Sequence, residues 1–462
     1  MTFDPFLADI RFGCGRAPDI AAPRDMGDIL TRLNGPDTAA SAFPVPGFDY
    51  MGKVIADVAE RRRAIRRAAP GADRAALREA ESKARMADRK RLGGEHMQWM
   101  WNVLMRRAHT HDGFRERLTS FWADHFAAAG KNIYFAFAVT PSIEDTIRPR
   151  ITGRFADLLG AVVTQPLMLH YLDQSASRGP NSPRAKDGDG LNENLARELM
   201  ELHTLGVGGP YTQTDVRELA ELLTGLSFAP GRGFVFRPVF AEPGAETVLG
   251  KRYGGGPARL EDILEVVEDL ARHPVTARHI AGKLAVHFVS DTPDPDLVDH
   301  MTAQYIASDG DLNVVYAAML EHPAAWRTEP GNVKQPLDFI GSTLRALMIG
   351  PDHPIVGRRG KMQALFRTPL DLMGQPWERP AGPDGWPESD AAWITPQRLA
   401  ARLRWAWAAP SALAGQLPDP RDLLDVTVGP RADADLRFAV SAAADRTEGV
   451  ALVLTSPAFQ RM

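Results

Sequence analysis

The spacing of apolar and polar residues along the chain predicts a protein that is mostly α-helical. Apolar residues recur every three or four positions over long stretches rich in Ala, Arg and Glu, which is the pattern of amphipathic helices. Helices are predicted over residues 51–86 with a break at Pro70-Gly71, and over 95–108, 113–128, 151–172 with a break at Pro166, 260–273, 274–290, 296–308, 313–320, 334–348, 396–408 and 445–455. The predicted fold class is therefore all-α.

A helix over residues 192–205 is predicted to pack against the helix that follows it. A run of Gly and Pro at residues 206–210 predicts where the first helix ends. Thr212 and Asp215 then have the spacing of a capping box, which predicts a second helix over residues 213–223. Because the connection is short, the two helices are expected to form an αα-hairpin.

Residues 228–253 depart from the helical pattern, and their Phe and Val residues among Gly and Pro predict a small β-hairpin insertion. No internal repeat or long linker divides the chain. We therefore predict one large helical domain over residues 1–462. Within it, 1–110 is an N-terminal region of helices and loops, 111–348 is the motif-bearing core, and 349–462 holds a Trp- and Pro-rich loop and the closing helices.

Composition and charge exclude several classes of protein. Hydrophobic residues make up 44% and charged residues 24%, which is typical of globular proteins, and the formal net charge of −4 gives no footprint for nucleic acid. The basic cluster at residues 61–67 is interpreted as a solvated helix face, and the single Cys14 excludes a disulfide framework. No apolar run approaches the ~20 residues of a membrane span. The N-terminus lacks the pattern of a secretory signal, so we expect a cytoplasmic protein unless it is exported with a partner.

One arc of the 192–205 helix carries a dense set of polar side chains. At ~100° per residue, Asn194, Arg197, Glu198 and Glu201 share this arc. Two carboxylates one turn apart could act as a general base or hold a divalent cation, which leaves a metal cofactor open without identifying it. The alternative is a structural ion pair between Arg197 and Glu201.

The apolar side of the same helix carries Asn192 and His203 among leucines. His125 lies on an apolar stripe of another predicted helix and could be a ligand that meets Glu198 or His203 across the core. The alternative for both histidines is a buried structural role. Trp386, in the Trp- and Pro-rich loop, could stack on a ligand or anchor the loop to the core.

The loop before this helix has a weak likeness to a calcium-binding loop. Asp187, Asp189 and Glu198 have part of the required spacing. Leu191 and Asn192 stand where an EF-hand needs an oxygen ligand and a glycine. An EF-hand is therefore excluded.

Several motifs along the chain are those of one known bacterial family. They are Asn192-Glu-Asn-Leu-Ala-Arg-Glu-Leu-Met-Glu-Leu-His-Thr-Leu-Gly-Val207, Tyr211-Thr, Asp215-Val-Arg-Glu-Leu-Ala, Leu223-Thr-Gly225, Phe121-Trp with His125-Phe126, Tyr171-Leu-Asp173, His273-Pro-Val-Thr-Ala-Arg278, Lys283-Leu284, Lys334-Gln-Pro, Met373-Gly-Gln-Pro376, Gly385-Trp-Pro387 and Ser456-Pro-Ala-Phe459. By these motifs the chain resembles, over nearly its full length, the family catalogued as domain of unknown function 1800. The resemblance implies no established reaction.

The resemblance also has a departure and a possible context. Where relatives tend to show His-Asp-Pro-Gly-Pro-Lys, this chain has Ala241-Glu-Pro-Gly-Ala-Glu246; if that histidine and lysine are catalytic in relatives, the resemblance implies an altered or inactive protein. Many relatives carry a twin-arginine-type export signal, which this chain does not show. Genes of the family often neighbour those of a second family similar to the alkaline phosphatase and sulfatase superfamily, which implies a protein partner of that kind.

Two hypotheses for function follow. In the first, the chain is an enzyme-like protein acting on an anionic or polyhydroxyl substrate, with Glu198, Glu201 and His203 transferring protons. The substrate would be bound by Asn192, Glu193, Asn194, Arg197 and Trp386, with His125 supporting the site. In the alternative, the chain is a non-catalytic partner or a maturation or export factor for the hydrolase-like neighbour.

Overall fold

The computed structural model describes residues 3–67, 74–185, 190–328 and 331–462, and most of them are helical. The first half contains helices α1 (Pro5–Arg11), α2 (Met26–Asn34), α3 (Thr38–Ala42), α4 (Phe48–Arg67), α5 (Arg74–His109), α6 (Gly113–His125), α7 (Ile133–Ala136), α8 (Val139–Ser142), α9 (Phe155–Val163), α10 (Pro166–Tyr171), α11 (Asn194–Glu198) and α12 (Gln213–Leu222). Turns of π-helix continue α8 over Ile143–Ile147 and α11 over Leu199–His203.

The second half is also helical. It contains α13 (Leu260–Arg272), α14 (Pro274–Phe288), α15 (Pro295–Ala307), α16 (Leu312–Glu321), α17 (Pro336–Ala346), α18 (Arg359–Met362), α19 (Thr368–Met373), α20 (Asp390–Trp393), α21 (Pro396–Leu413), α22 (Pro420–Thr427), α23 (Ala434–Ser441), α24 (Arg446–Thr455) and α25 (Pro457–Gln460). A π-helical turn, Gln363–Arg367, joins α18 to α19. The predicted all-α fold class is confirmed.

Local sequence explains where many of these helices begin. An Asp, Asn, Thr or Ser before the first turn accepts hydrogen bonds from free backbone N–H groups, as Asp112 does for α6. The capping box predicted from Thr212 and Asp215 is present at the start of α12. Proline stands in the first turn of several helices, α14, α17 and α21 among them, where its missing N–H costs nothing.

Between α12 and α13 the chain forms two small antiparallel sheets rather than the single hairpin predicted. The first pairs β1 (Leu226–Ala229) with β2 (Gly233–Phe236), and the second pairs β3 (Gly244–Val248) with β4 (Lys251–Gly256). Each pair is closed by a short turn with glycine at positive φ. The predicted insertion is therefore present but is divided in two.

Three clusters of buried apolar side chains hold the helices together. The first joins α1, α2, α6 and α9–α16, the second joins α5 to α17–α19 and α21–α25, and the third joins α4, α7 and α8 to α5. Residues from all three clusters line a cavity beside α6. In the described part of the chain, no helix is both long and apolar enough to cross a membrane.

The prediction of a continuous α-helix over residues 192–205 was wrong. The chain is α-helical only from Asn194 to Glu198 and then widens into a π-helical turn that ends at His203. The Thr204 hydroxyl donates to the Leu199 carbonyl at 2.6 Å, which satisfies one carbonyl that the irregular end leaves free. A wheel drawn for a straight helix therefore does not hold beyond Glu198.

Two further sequence expectations concern residues outside this description. The predicted helix break at Pro70-Gly71 and the residues Asp187 and Asp189 of the rejected calcium loop lie outside the described residues.

The helix predicted over 396–408 is longer than expected, because α21 continues through Pro410 to Leu413.

Candidate functional site

A cavity of about 170 Å³ lies along one face of α6. Most of the lining residues of α6 and the turn after it recur every three or four positions: Glu116, Thr119, Ser120, Ala123, Asp124 and Ala127, with Phe126 and Ala128 beside them. With a rise of 1.5 Å per residue, Glu116 and Asp124 lie about 12 Å apart along the helix axis. The cavity is therefore a slot that follows α6.

The other walls come from segments far apart in sequence. Helix α5 contributes Arg106 and Arg107, the turn after α8 contributes Glu144, and α17 contributes Asp338. The Trp- and Pro-rich loop after α19, residues 374–389, closes the cavity with Gln375, Pro376, Trp377, Glu378, Pro380 and Trp386. The slot thus combines charged groups with apolar and aromatic walls, as ligand pockets do.

Three of the acids that line the cavity are ion-paired with arginine. Glu144 pairs with Arg106 at 2.6 Å, and Asp338 lies 3.5 Å from Arg107 and 3.2 Å from Arg117. These groups are almost completely buried, so each depends on its partner to offset the loss of water. They form a fixed frame.

The third of these acids, Glu116, pairs with Arg148. The carboxylate accepts two hydrogen bonds from the guanidinium, at 2.5 and 3.1 Å. Burial by itself would raise the pKa of Glu116, but Arg148 outweighs it and holds the pKa below its usual range. Glu116 is therefore an ionised, structural carboxylate.

Asp124 is held differently from these three acids. Its Oδ1 accepts a hydrogen bond from the backbone N–H of Trp386 at 2.8 Å. Gly385 has φ +78°, and a Cβ built on it would lie 2.5 Å from the same oxygen, so only glycine allows this approach. Burial raises the pKa of Asp124 to about 8, although the Trp386 N–H opposes the shift. At neutral pH Asp124 is mainly a protonated acid.

Glu378 is the second acid of the cavity held without arginine. Its carboxylate lies 2.7 Å from Nε2 of buried His96 and accepts a hydrogen bond from the Thr140 hydroxyl. The backbone of Glu378 has φ +57°, a conformation that is strained for a residue with a side chain and that is most common at functional sites. Its geometry is therefore enforced by the surrounding loop.

The five cavity acids divide into two groups. Glu116, Glu144 and Asp338 have arginine partners, whereas across the described ranges neither Asp124 nor Glu378 has an Arg or Lys within ion-pair distance. Two carboxyl groups in one cavity, one of them protonated near neutrality, form the arrangement used for general acid–base chemistry.

The polar arc of the 192–205 segment lies elsewhere. Arg197 pairs with Glu193 at 3.0 Å and with Glu201 at 3.3 Å, and these half-exposed pairs form the structural network considered as the alternative. Burial, the Glu201 carboxylate and Asp384 raise the pKa of Glu198. Asp384 also raises the pKa of Asp124, so the negative charge of this loop residue acts on the carboxyl groups of both Glu198 and Asp124.

The two asparagines of this segment organise the start of α11. Asn192 donates from its side chain to the Leu172 carbonyl at 2.8 Å and accepts from the Asn194 N–H at 2.9 Å.

Of the residues proposed from sequence, Trp386 lines the cavity. The others are outside the set of described residues that line it.

His203 and His125 are buried together. Their ring centroids are 6.0 Å apart, and Nε2 of His125 contacts the His203 carbonyl oxygen at 3.3 Å. Among the described residues, both ring nitrogens of His203 and Nδ1 of His125 lack a hydrogen-bond partner. Burial, assisted by Lys283, lowers the pKa of His203 to about 3. Both rings are therefore neutral, and they are not in the lining of the cavity.

Sequence reasoning missed Asp124, Glu378 and His96. Asp124 is adjacent to the histidine that was singled out, and its spacing of eight residues from Glu116 places both on one face of a helix. That shared face was the available signal. Glu378 and His96 are 282 residues apart, and no local pattern joins them.

One group of carboxylates could hold a metal ion. Within the described ranges, oxygen atoms of Glu218, Glu221 and Glu246 lie within 4.8 Å of one another, and the carboxylates of α11 do not belong to this group. Burial and a hydrogen bond to Glu218 raise the pKa of Glu246 to about 8, so two of these carboxyl groups can share a proton.

Comparison with known proteins identifies the family. A family model described as "Protein of unknown function (DUF1800)" matches residues 26–461. The chain therefore belongs to this family, and the match includes every element that lines the cavity. No curated protein and no solved structure was found to match the chain.

Proposed function

We propose that the protein is an enzyme that transfers protons to and from a small molecule bound in the cavity along α6. The observation that carries this proposal is the buried Asp124 carboxyl, fixed by the Trp386 N–H at 2.8 Å in the wall of the cavity. A carboxyl group kept protonated near neutral pH is suited to donate a proton. The proposed proton-transfer residues are therefore Asp124 and Glu378 rather than Glu198, Glu201 and His203.

The reaction class that this pair of acids fits is the cleavage of a C–O bond. Asp124 would donate its proton to the leaving oxygen. Glu378 would accept a proton from the attacking water or hydroxyl as the new bond forms, with His96 and Thr140 orienting its carboxylate. One proton is given and one is taken, so the two acids return to their starting states by exchange with solvent.

The Asp124→Asn variant tests this proposal. Asn keeps an oxygen for the Trp386 N–H but cannot donate the acid's proton. A carboxyl whose pKa is raised from 3.8 to about 8 on folding stabilises the protein below pH 3.8 and loses that stability as the pH rises to 8. We expect the variant to gain stability over wild type by up to about 1.4 kcal/mol per pH unit in this window, measured by urea unfolding.

Carboxyl titration and turnover complete the test. Infrared or ¹³C NMR titration should show two carboxyls near pH 8 in wild type, those of Asp124 and Glu246, and the Asp124 signal should be missing in the variant. Against a chromogenic panel of aryl glycosides, phosphates and esters, Asp124→Asn and Glu378→Gln should each reduce the rate by about 10²–10⁴-fold. A wild-type Asp124 that titrates below pH 5 would overturn the proposal.

A second candidate function is that of a partner, or an export factor, for a protein of the phosphatase and sulfatase kind. The observation that favours it is an apolar stripe on α21. Leu399, Leu403 and Trp407 recur every four residues and are 37%, 42% and 55% exposed. An uninterrupted exposed stripe of this kind fits a helix-binding interface.

Replacing Leu403 and Trp407 by Asp should abolish co-purification with such a partner if the second function holds. The expected change is at least a 100-fold loss of affinity, because interface aromatic residues carry a large share of binding energy. The stripe is exposed, so the variant should unfold at the same temperature as wild type. A complex that survives both substitutions would exclude the stripe as the interface.

A further inference from the structure

We infer that the ligand of the cavity is a neutral, ring-sized polyhydroxyl compound, a monosaccharide or cyclitol unit, and not an anion. The inference rests on the proposed function for the position of the site. It adds the chemical class of the ligand, which is argued from the size, the charge and the hydrogen-bonding atoms of the walls.

The size of the cavity limits the ligand. An internal volume of about 170 Å³ is close to that of engineered cavities that hold a single benzene ring. The slot is bounded by apolar groups and by the half-buried Trp386, whose ring face suits the C–H groups of a sugar or cyclitol. A single six-membered ring fits this space, whereas a nucleotide or a peptide would have to extend out of it.

The charge of the walls disfavours an anion. The lining contains three arginines, Arg106, Arg107 and Arg148, and each is already paired with an acid. Besides Asp124, the lining holds four carboxylates, Glu116, Glu144, Asp338 and Glu378. An entering phosphate or carboxylate would therefore find no uncompensated positive charge in a poorly solvated slot.

The walls also carry uncharged hydrogen-bonding groups. These are the side chains of Thr119, Ser120, Thr140, Gln335 and Gln375. Hydroxyl and amide groups both donate and accept hydrogen bonds, as the hydroxyls of a polyol do. A polyol therefore matches these walls better than an apolar ring does.

Calorimetric titration with four probes tests this inference. We expect myo-inositol and glucose to bind the full-length protein, and inorganic phosphate and cyclohexanol to give no binding. Ala123→Leu fills the slot from α6 and should weaken polyol binding by more than tenfold while leaving the melting temperature equal or higher. Ala400→Leu, the same change on the exposed face of α21, is the matched control and should bind as wild type does.

The outcomes separate this inference from the proposed function. Binding of phosphate with none of the polyols, or polyol binding that Ala123→Leu leaves intact, overturns the inference even where Asp124 titrates near pH 8. Polyol binding that Ala123→Leu abolishes supports the inference even where Asp124 titrates as an ordinary acid and the proposed function fails. No binding by any probe at millimolar concentration also overturns it.

Discussion

Replacing Glu116 by Gln is expected to lower the free energy of unfolding by about 3 kcal/mol. The substitution leaves the guanidinium of Arg148 buried beside a neutral amide, and removing one member of a buried ion pair typically costs 3–5 kcal/mol. The lower end applies, because Arg148 retains Asp37 at 2.6 Å. Urea unfolding at pH 7 measures the change, since Glu116 is ionised there.

An exposed pair provides the control for this measurement. Glu79 and Lys83 are 2.7 Å apart on α5 and remain largely in water, so Glu79→Gln should change stability by less than about 0.5 kcal/mol. The double variant Glu116→Leu, Arg148→Met should recover only part of the loss, because it removes both buried charges but leaves Asp37 without its arginine partner. A Glu116→Gln protein no less stable than Glu79→Gln would show that the frame of the cavity is not electrostatic.

Replacing His203 by Phe is expected to stabilise the protein, and increasingly so in acid. Burial lowers the pKa of His203 from 6.5 to about 3. Between these values the unfolded chain binds a proton that the folded chain does not, so wild type loses stability as the pH falls from 6.5 toward 3. The variant lacks this loss. Its free energy of unfolding relative to wild type should therefore rise by about 1.4 kcal/mol for each unit that the pH falls below 6.5, or by about 3 kcal/mol at pH 4.5, as measured by urea unfolding.

The same variant separates two roles for His203. At pH 7.5 the free energy of unfolding of the variant should already exceed that of wild type by about 1 kcal/mol or more, because two buried, unpartnered ring nitrogens are removed. His111→Phe, an exposed change, should show no gain in acid. If His203→Phe gains stability but loses turnover, proton transfer by His203, as first suggested from sequence, returns as the explanation.

Short-range patterns predicted much of the fold. The all-α class, the break before Pro166 and the capping box at Thr212 each depend on residues close together in sequence, and each was correct. The irregular end of the 192–205 segment was not predictable in this way. It depends on the hydroxyl of Thr204 bonding the Leu199 carbonyl and on the packing of His203 against His125.

Most of the candidate site could not be predicted from the sequence, because it too depends on residues that are far apart along the chain. Its members come from α5, α6, the turn after α8, α17 and a loop, and only tertiary packing brings them together. The 192–205 segment carries several charged residues close together, yet Arg197 there is satisfied by its own neighbours Glu193 and Glu201. The density of polar groups in the sequence drew attention to this network of ion pairs, whereas the cavity acids are scattered along the chain and form no local motif.

The contact between Gly385 and Asp124 gives a rule for sorting the rest of the family. A side chain at position 385 would collide with the carboxylate oxygen, so the glycine and the aspartate should be inherited or lost together. Members that retain both would form a mechanistically coherent subgroup. Members with a larger residue at 385 should also have replaced the aspartate, which genome-scale alignment can establish before any protein is purified.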